Sequence, residues 1–415
     1  MASNPSPHVL IIGGGIGGLT LGQALRKQDI SFEVFERDTE ANSRSQGWAI
    51  LLHTVLAQLK AFLPEDMPPI ETVNHLLPLD LPAQIIMYDG ARPDVRVGSE
   101  STPEQPLLRA NRGRLRDWLA TSIPIRFGKQ AVGIEENDGR VTVRFKDGTS
   151  STGDFVVGAD GKHSSVRKHL LGHRDRLRVV PIAIAAGELT VSGDEMIRQL
   201  EIAHSSYAAM APAPPDDPSQ VDVMLFTGLA QPVTNSDGKV AGGDYYWLIS
   251  VADESIATER PWTAAATQEE LLNWSKEMAK PLSEEFRRIV DLTPAEGMRV
   301  PPLILHDIEL SSQDIPAGRV TLLGDAAHCM APYLGEGGVI ALRDSFDLAH
   351  ALTKISEGGD MKHYMAAYRD TMLERGVAAV RKTRNAFGKL CSTACAPPVA
   401  FGYPTVELPK KKIVL

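Results

Sequence analysis

Val9-Leu10-Ile11-Ile12-Gly13-Gly14-Gly15-Ile16-Gly17-Gly18 is the stretch from which the rest of the chain can be read. The four apolar residues read as a buried strand, and Leu19, Leu21, Ala24 and Leu25, closed by Arg26 and Lys27, read as the helix that follows. Gly13, Gly15 and Gly18 match G-x-G-x-x-G between strand and helix, the context that gives the pattern meaning. Gly13 permits the tight turn, Gly15 removes the side chain that would block a pyrophosphate, and Gly18 lets helix and strand pack closely. The phosphates then lie on the free N–H groups at the positive end of the helix. A second strand, Ser31 to Phe35, ends in Glu36, where a carboxylate can accept both ribose hydroxyls of an adenosine. That acid repels a 2′-phosphate, so the site is expected to hold FAD or NAD and not NADP; Arg37 is counted with it. The plainer alternative, a glycine-rich turn without a ligand, has strand, helix and acid all against it.

A second glycine-rich stretch stands far downstream. Val320-Thr321-Leu322-Leu323 runs into Gly324-Asp325-Ala326-Ala327-His328, followed by Ala331-Pro332 and Gly335-Glu336-Gly337-Gly338. Both stretches are apolar strands ending in backbone that can approach a phosphate or a ribitol. Together they suggest one long cofactor gripped at both ends.

At 415 residues the chain is expected to form two domains. It is 43% hydrophobic and 23% charged, as soluble globular proteins are, and its net charge of −9 gives no support for nucleic-acid or anionic-membrane binding. No apolar run approaches the roughly 18–20 residues that span a bilayer. Met1 to Pro7 lacks a charged and an apolar region, so no secretory signal is expected and a cytoplasmic location is. Cys329, Cys391 and Cys395 are too few and too irregularly spaced for a disulfide framework or a metal site, and no metal is expected. Lys410-Lys411-Lys412 reads as a solvated end.

Residues 9–62 alternate strand and helix, with a short strand at Trp48–Leu52. Val132–Glu135, Val141–Phe145 and the buried Phe155–Asp160 follow as a meander and its return. From about 178 the pattern changes to longer strands, Val179–Ala185, Ala186–Val191, Val221–Thr227 and Tyr245–Val251, which hold most of the clustered aromatics. Nucleotide-type pattern returns at Arg319, and His363 to Leu390 reads as a long amphipathic helix. The reading is an α/β chain: a Rossmann-like nucleotide-binding domain (1–78, 106–176 and 300–360) interrupted by a mainly antiparallel β-sheet domain (79–105 and 177–299), with a C-terminal helix and tail over 361–415.

Three more segments carry a family resemblance. Asn111-Arg112-Gly113-Arg114-Leu115 with Leu119 resembles R-x-x-L-x-x-x-L, Asp160-Gly161-Lys162-His163-Ser164-Ser165-Val166-Arg167 resembles D-G-x-x-S-x-V-R, and Gly324 to Pro332 resembles G-D-A-A-H-x-x-x-P. With the N-terminal fingerprint these four ordered motifs, spread over most of the chain, resemble the single-component FAD-dependent aromatic hydroxylases related to p-hydroxybenzoate hydroxylase. The resemblance implies a GR2-type fold, in which the Rossmann-like domain is the FAD-binding domain and the β-sheet domain is the substrate domain. It implies Gly13, Gly15, Gly18, Glu36, Arg37, Ala49, Arg112, Asp160, Asp325, Gly335, Gly337 and Gly338 at the FAD, with Asp325 on the ribitol and the last three glycines freeing N–H groups for the flavin's pyrimidine edge. The stretch from Asp160 would also serve a transient visit by NADPH (or NADH). Arg44-Ser45-Gln46-Gly47-Trp48-Ala49-Ile50 resembles the family's loop beside the flavin ring. Each residue has a plainer reading: Arg112 a surface charge, Arg167 a solvated arginine behind a helix entry, His328 a packing residue and not a base. In place of the family's usual Asn stands Val339, so one side-chain hydrogen bond near the cofactor is expected to be missing.

The activity implied is a monooxygenase: NAD(P)H reduces FAD, O2 adds to give a flavin C4a-hydroperoxide, and one oxygen atom passes to an aromatic or polyketide/alkaloid-like small molecule, as a hydroxylation. Baeyer–Villiger oxidation, epoxidation, or a flavin reductase without oxygen transfer are the alternatives. Met224, Phe226, Tyr246 and Trp247 are candidate substrate walls, with core packing as their plainer fate. His53, Glu188 and Tyr207 are candidate general bases. A monomer or homodimer without a nucleic-acid partner is expected.

Overall fold

Val9 to Ile12 are buried because they form the middle strand of a parallel five-stranded sheet. Its order is Val320–Leu322, Phe155–Gly158, His8–Ile12, Ser31–Phe35, Ile125–Arg126. The register sets Ile12 beside both Phe35 and Gly158, and Gly158 beside Leu322. Gly13, Glu36, Ala159-Asp160 and Leu323-Gly324 therefore all leave the sheet at one carboxyl edge, where open α/β sheets bind ligands. The computed structural model describes residues 7–41, 43, 47–214, 216–217, 220–258, 261–392, 399–400 and 403–413. Arg44, Ser45 and Gln46 of the expected flavin loop, and Cys395, lie outside the described residues.

The helices that serve this edge are α1 (Ile16–Lys27), α2 (Arg112–Leu119), α3 (Ser165–Leu171), α4 (Asp325–His328), α5 (Glu336–Ser356) and α6 (Met361–Arg384). α1 lies against α5, with Ser345 Oγ donating to Gly17 O at 2.9 Å. A Cβ on Gly17 would stand 2.7 Å from Leu323 Cδ1 and 3.6 Å from Ala341 Cβ, so the two glycine-rich stretches are in contact. A side meander of Ala131–Asn137, Arg140–Phe145 and Ser150–Gly153 stands where the alternation placed it.

The second sheet has seven strands in the order Ile182–Ser192, Val240–Ala252, Val223–Thr234, Ser206–Ala211, Gln84–Asp89, Arg92–Glu100, Val406–Glu407. Every pair is antiparallel except Ser206–Ala211 with Gln84–Asp89. One face packs on helices through a core that includes Tyr88, Tyr207, Trp247 and Phe286. The opposite face carries Met87, Met210 and Met224 against Tyr333, Phe387 and Cys391.

Several expectations change here. The strands read as Val179–Ala185 and Ala186–Val191 are one continuous strand, Ile182–Ser192, after a separate Arg178–Val179. Gly187 does not break it. Its missing side chain makes room for Trp247, whose ring atoms would lie 2.4 Å from a Cβ there. The helix read as His363–Leu390 is α6 followed by a separate helix, Ala386–Ser392, with Asn385 as the C-cap. Lys410, Lys411 and Lys412 are exposed, as a solvated end should be, but the tail is not loose: Val406–Glu407 extends the second sheet, Lys410 pairs with Glu285 at 2.6 Å and Lys411 with Glu100 at 3.1 Å. Among the described residues no helix is long and apolar enough to cross a membrane. Also among them, no cluster of His, Cys, Asp and Glu could hold a metal ion.

Candidate active site

The cofactor cleft is built from two helix N-termini that nothing caps. The N-cap of α1 is Gly15 and that of α5 is Gly335, and neither has a side-chain cap hydrogen bond. The first-turn N–H groups of both are thus left for a ligand. Glycine does three different jobs at α1. Gly13, at φ +117°, would put a Cβ 2.3 Å from Ala159 O, and Gly18 would put one 2.1 Å from Gly13 O. A Cβ on Gly15 would meet nothing within 4 Å, which is open room facing the helix end. Such room, a helix end and a carboxylate suit the pyrophosphate half of FAD.

Glu36 is buried, and its oxygens accept from Gly14 N at 2.8 Å and Asp38 N at 3.0 Å. It therefore fixes the glycine turn, and as a carboxylate it keeps further acceptor sites. Arg37 beside it is exposed. Arg116, one helical turn after Arg112, is buried and donates to Gly14 O at 2.9 Å and Ala41 O at 3.1 Å. Sequence reading missed it, because it lies outside the motif positions.

Asp160 acts first at its own helix. One oxygen accepts from Ser165 N at 2.7 Å and Ser165 Oγ at 2.8 Å at the start of α3. Arg167 is not solvated: it is fully buried and donates to Ala326 O at 3.0 Å and Lys162 O at 2.6 Å, tying the two downstream motifs together.

Asp325 is the first residue of α4, and Gly324, not Asp325, is the N-cap. From Val320 to Cys329 every residue is buried except Asp325, and no hydrogen bond to its carboxylate is found among the described residues. It is exposed, as a ribitol ligand must be. His328 is a packing residue, not a base: it is 1% exposed, and its Nε2 donates to Asp344 at 2.6 Å. Burial alone pushes the imidazole pKa down, but the Asp344 carboxylate outweighs it and holds the pKa above the ordinary value. Val339 is 3% exposed and belongs to the first core, so its side chain is turned away from the cleft.

Beside the first turn of α5 lies a two-stranded ribbon, Ala49–Leu51 with Arg109–Asn111. Ile50 lies over Gly338, with Cδ1 2.1 Å from where a Cβ would be, and Gly337 lies beside Met330. Gly47, at φ +87°, sits against Arg112, whose Cδ would be 3.5 Å from a Cβ there, and Arg112 N donates to Trp48 O at 3.1 Å. Trp48 then reaches the second sheet. Its ring stacks on Tyr246 at 4.4 Å and 5°, its N–H donates to Glu188 at 2.7 Å, and the Arg299 guanidinium stands 5.2 Å above it. Arg109 is buried and donates to Leu229 O at 2.7 Å and to the Tyr246 hydroxyl. Arg109 and Arg299 carried no motif signal, and Trp48 was marked only as part of the stretch from Arg44 to Ile50.

Strand parity divides the expected substrate residues. Tyr246 and Trp247 are neighbours on one strand and point to opposite faces. Pairing puts Phe226 and Met224 on the Tyr246 side; Tyr207 and Trp247 pack in the helix-covered core. Trp247 is fully buried and donates to Thr293 Oγ1 at 2.8 Å, so it is not a wall of the cleft. Tyr207, 1% exposed with its hydroxyl on Gln199 Oε1 at 3.3 Å and its acidity suppressed by burial, is not placed to act as a base. Glu188 is exposed and occupied with Trp48 and Arg299. His53 is buried near Glu336 and Arg343, and burial pushes its pKa down to about 4, which leaves a neutral imidazole of low basicity. Cys329 is buried and its thiol is pushed up to about 12 by burial, so it is inert.

Known proteins agree with this geometry. Residues 112–383 match the FAD binding domain family, and residues 11–48 match an NAD(P)-binding Rossmann-like domain. The FAD-dependent monooxygenase thnD of Trichoderma harzianum is 44% identical over 386 residues, 91% of this chain and 92% of that protein. The FAD-dependent monooxygenase dbaB of Emericella nidulans is 28% identical over 80% of this chain and 84% of its own length. Two solved structures share the fold. HpxO of Klebsiella pneumoniae, complexed with FAD and uric acid, has a TM-score of 0.69 at 22% identity, covering 94% of this chain and 89% of that one. 2,6-Dihydroxypyridine-3-hydroxylase of Arthrobacter nicotinovorans has a TM-score of 0.70 at 18% identity, covering 99% and 100%. With the family matched over most of its length and a relative at 44% identity, the chain belongs to the FAD-dependent monooxygenases, and FAD is its cofactor.

Proposed function

We propose that this enzyme hydroxylates an aromatic or polyketide-like small molecule of fungal secondary metabolism, with NAD(P)H as reductant and O2 as the oxygen source. One atom of O2 enters the product and the other leaves as water, the two electrons for that water coming from NAD(P)H. Bound FAD supplies the oxygen chemistry, as cofactors do; the protein supplies orientation and a dry surrounding.

The observation that carries this reading is the position of the Tyr246 face. The sheet turns Met224, Phe226 and Tyr246 toward the nucleotide-binding half, and Trp48, next to the ribbon beside α5, stacks directly on Tyr246. A flat substrate between flavin and sheet would meet an aromatic wall that excludes water, which protects a reactive oxygen donor from decay. The proposed roles follow from placement. Gly13, Gly15, Gly18 and α1 hold the pyrophosphate, Glu36 the adenosine ribose, Asp325 the ribitol, and Gly335, Gly337 and Gly338 the flavin ring edge. Ala49 and Arg112 border the ring, with Asp160 on the loop beside Gly13 and Arg37 at the adenosine end. The fungal relatives, thnD and dbaB among them, fit the same chemistry.

The test is NADPH and NADH oxidation over a panel of hydroxylated aromatic compounds under 18O-labelled O2. One labelled atom in product, with oxidation stimulated by that compound, supports the reading. Product without label, or reductant oxidation that yields only hydrogen peroxide across the panel, refutes it.

A further inference from the structure

We propose that Asp344 is a positioning residue for the flavin: with His328 and Arg375 it sets the Gly324-Asp325 turn, and so makes α6 a working part of the cofactor site. The inference rests on the placement of FAD at Asp325.

Gly324 sits at φ +59°, and a Cβ there would be 3.0 Å from Ala341 Cβ. No side chain caps the short helix that begins after it. The turn is held from behind instead. Asp344, fully buried in the middle of α5, accepts from Gly324 N at 3.0 Å and from His328 Nε2 at 2.6 Å through one oxygen. Its other oxygen accepts from Arg375 of α6 at 2.8 Å, and Arg375 also grips Asp347 at 2.7 Å. Gly376, the next residue, leaves room for the His328 ring, whose Cδ2 would be 2.5 Å from a Cβ. Tyr368, also of α6, donates to Leu322 O at 2.7 Å. One carboxylate thus joins both ends of α4 to two long helices, and Asp325 is the sole side chain of the stretch left facing outward. Groups that orient a ligand-binding residue from behind strongly affect affinity without touching the ligand.

The experiment is a double-mutant cycle read as FAD Kd, by fluorescence titration of apoprotein, for Asp344→Asn, Asp325→Ala and the pair. Loss of one charge-assisted hydrogen bond predicts a Kd about tenfold to a hundredfold higher for Asp344→Asn. In the Asp325→Ala background the same change should have little further effect, because Asp344 acts through Asp325. Effects that multiply fully would show that Asp344 supports only the fold and would overturn the proposal, as would an unchanged Kd in Asp344→Asn. If Asp344→Asn does not fold, Arg375→Met is run through the same cycle with the same criteria. An unchanged Kd in Asp325→Ala alone would remove the cofactor placement beneath the proposal, and the proposal with it.

Discussion

Gly15→Val separates room kept for a ligand from room kept for folding. A Cβ at Gly15 meets no atom within 4 Å, and the residue sits at φ −85°, where any side chain is comfortable. The apoprotein should lose no more than about 1 kcal/mol, the scale of an N-cap change. The valine would occupy the approach to the α1 N–H groups. If the pyrophosphate loses two charge-assisted hydrogen bonds at about 1.5 kcal/mol or more each, at least about 3 kcal/mol of FAD affinity goes. That is on the order of a hundredfold in Kd. Gly18→Ala is the contrast: its Cβ would fall 2.1 Å from the Gly13 carbonyl, backbone that cannot swing away, so the apoprotein itself should be destabilised by several kcal/mol. Urea unfolding of both apoproteins and FAD titration of each give the four numbers required. A Gly15→Val protein that binds FAD within threefold of wild type refutes the pyrophosphate placement. One that fails to fold refutes the claim that the space is reserved for a ligand.

His53 is held neutral in the folded protein, with a pKa near 4 against 6.5 in the unfolded chain. The unfolded chain binds the extra proton first, so stability is full above about pH 6.5 and falls as pH drops toward 4, by roughly 3 kcal/mol from this group. Urea unfolding at stepped pH should show that His53→Gln lacks this part of the slope, and an identical slope would refute it. Trp247→Phe loses the Thr293 hydrogen bond and the fit against Gly187, so stability should fall by about 1–3 kcal/mol while substrate KM stays within twofold. A large KM change would return Trp247 to the pocket. Glu188→Gln removes a half-exposed carboxylate from Trp48 and Arg299, with less than about 1 kcal/mol of stability at stake. If Glu188 only tethers Trp48, the pH profile of kcat keeps its shape; loss of one limb of that profile would make Glu188 the base.

The Rossmann half was legible because its constraints are local. A strand, a turn needing glycine and a helix end occur within ten residues, and each element limits the next. The same holds for Asp325, whose neighbours are all apolar or small. Outside the motifs, legibility stopped where a residue's role depends on a partner far along the chain. Gly187 looks like a weak point in a strand until Trp247, sixty residues on, is seen in its missing side chain's place. Tyr246 and Trp247 look equivalent in sequence, and only the pairing with Ile182–Ser192 and Val223–Thr234 decides which one faces the flavin half. Arg109 and Arg116 lie at no motif position, yet both are buried donors to backbone carbonyls. The His363–Leu390 pattern hid the end of α6 because its apolar period continues past Asn385.

The small ribbon of Ala49–Leu51 and Arg109–Asn111 ties these observations together. On one side Ile50 rests on Gly338, at the end of the cleft proposed for the flavin ring. On the other, Arg109 is anchored in the second sheet through Leu229 O and the Tyr246 hydroxyl, and Trp48 lies flat on the Tyr246 ring. The strands that carry Ile50 are therefore fixed to the second sheet. Displacing Trp48 from Tyr246 would in turn give up a ring stack, a hydrogen bond to Glu188 and a cation–π contact with Arg299. At exposed sites such contacts are individually worth about 0.5–1.5 kcal/mol, small enough for a bound substrate to overcome. The ribbon beside Gly338 and the Tyr246 face of the second sheet are thus joined by several contacts of individually modest strength.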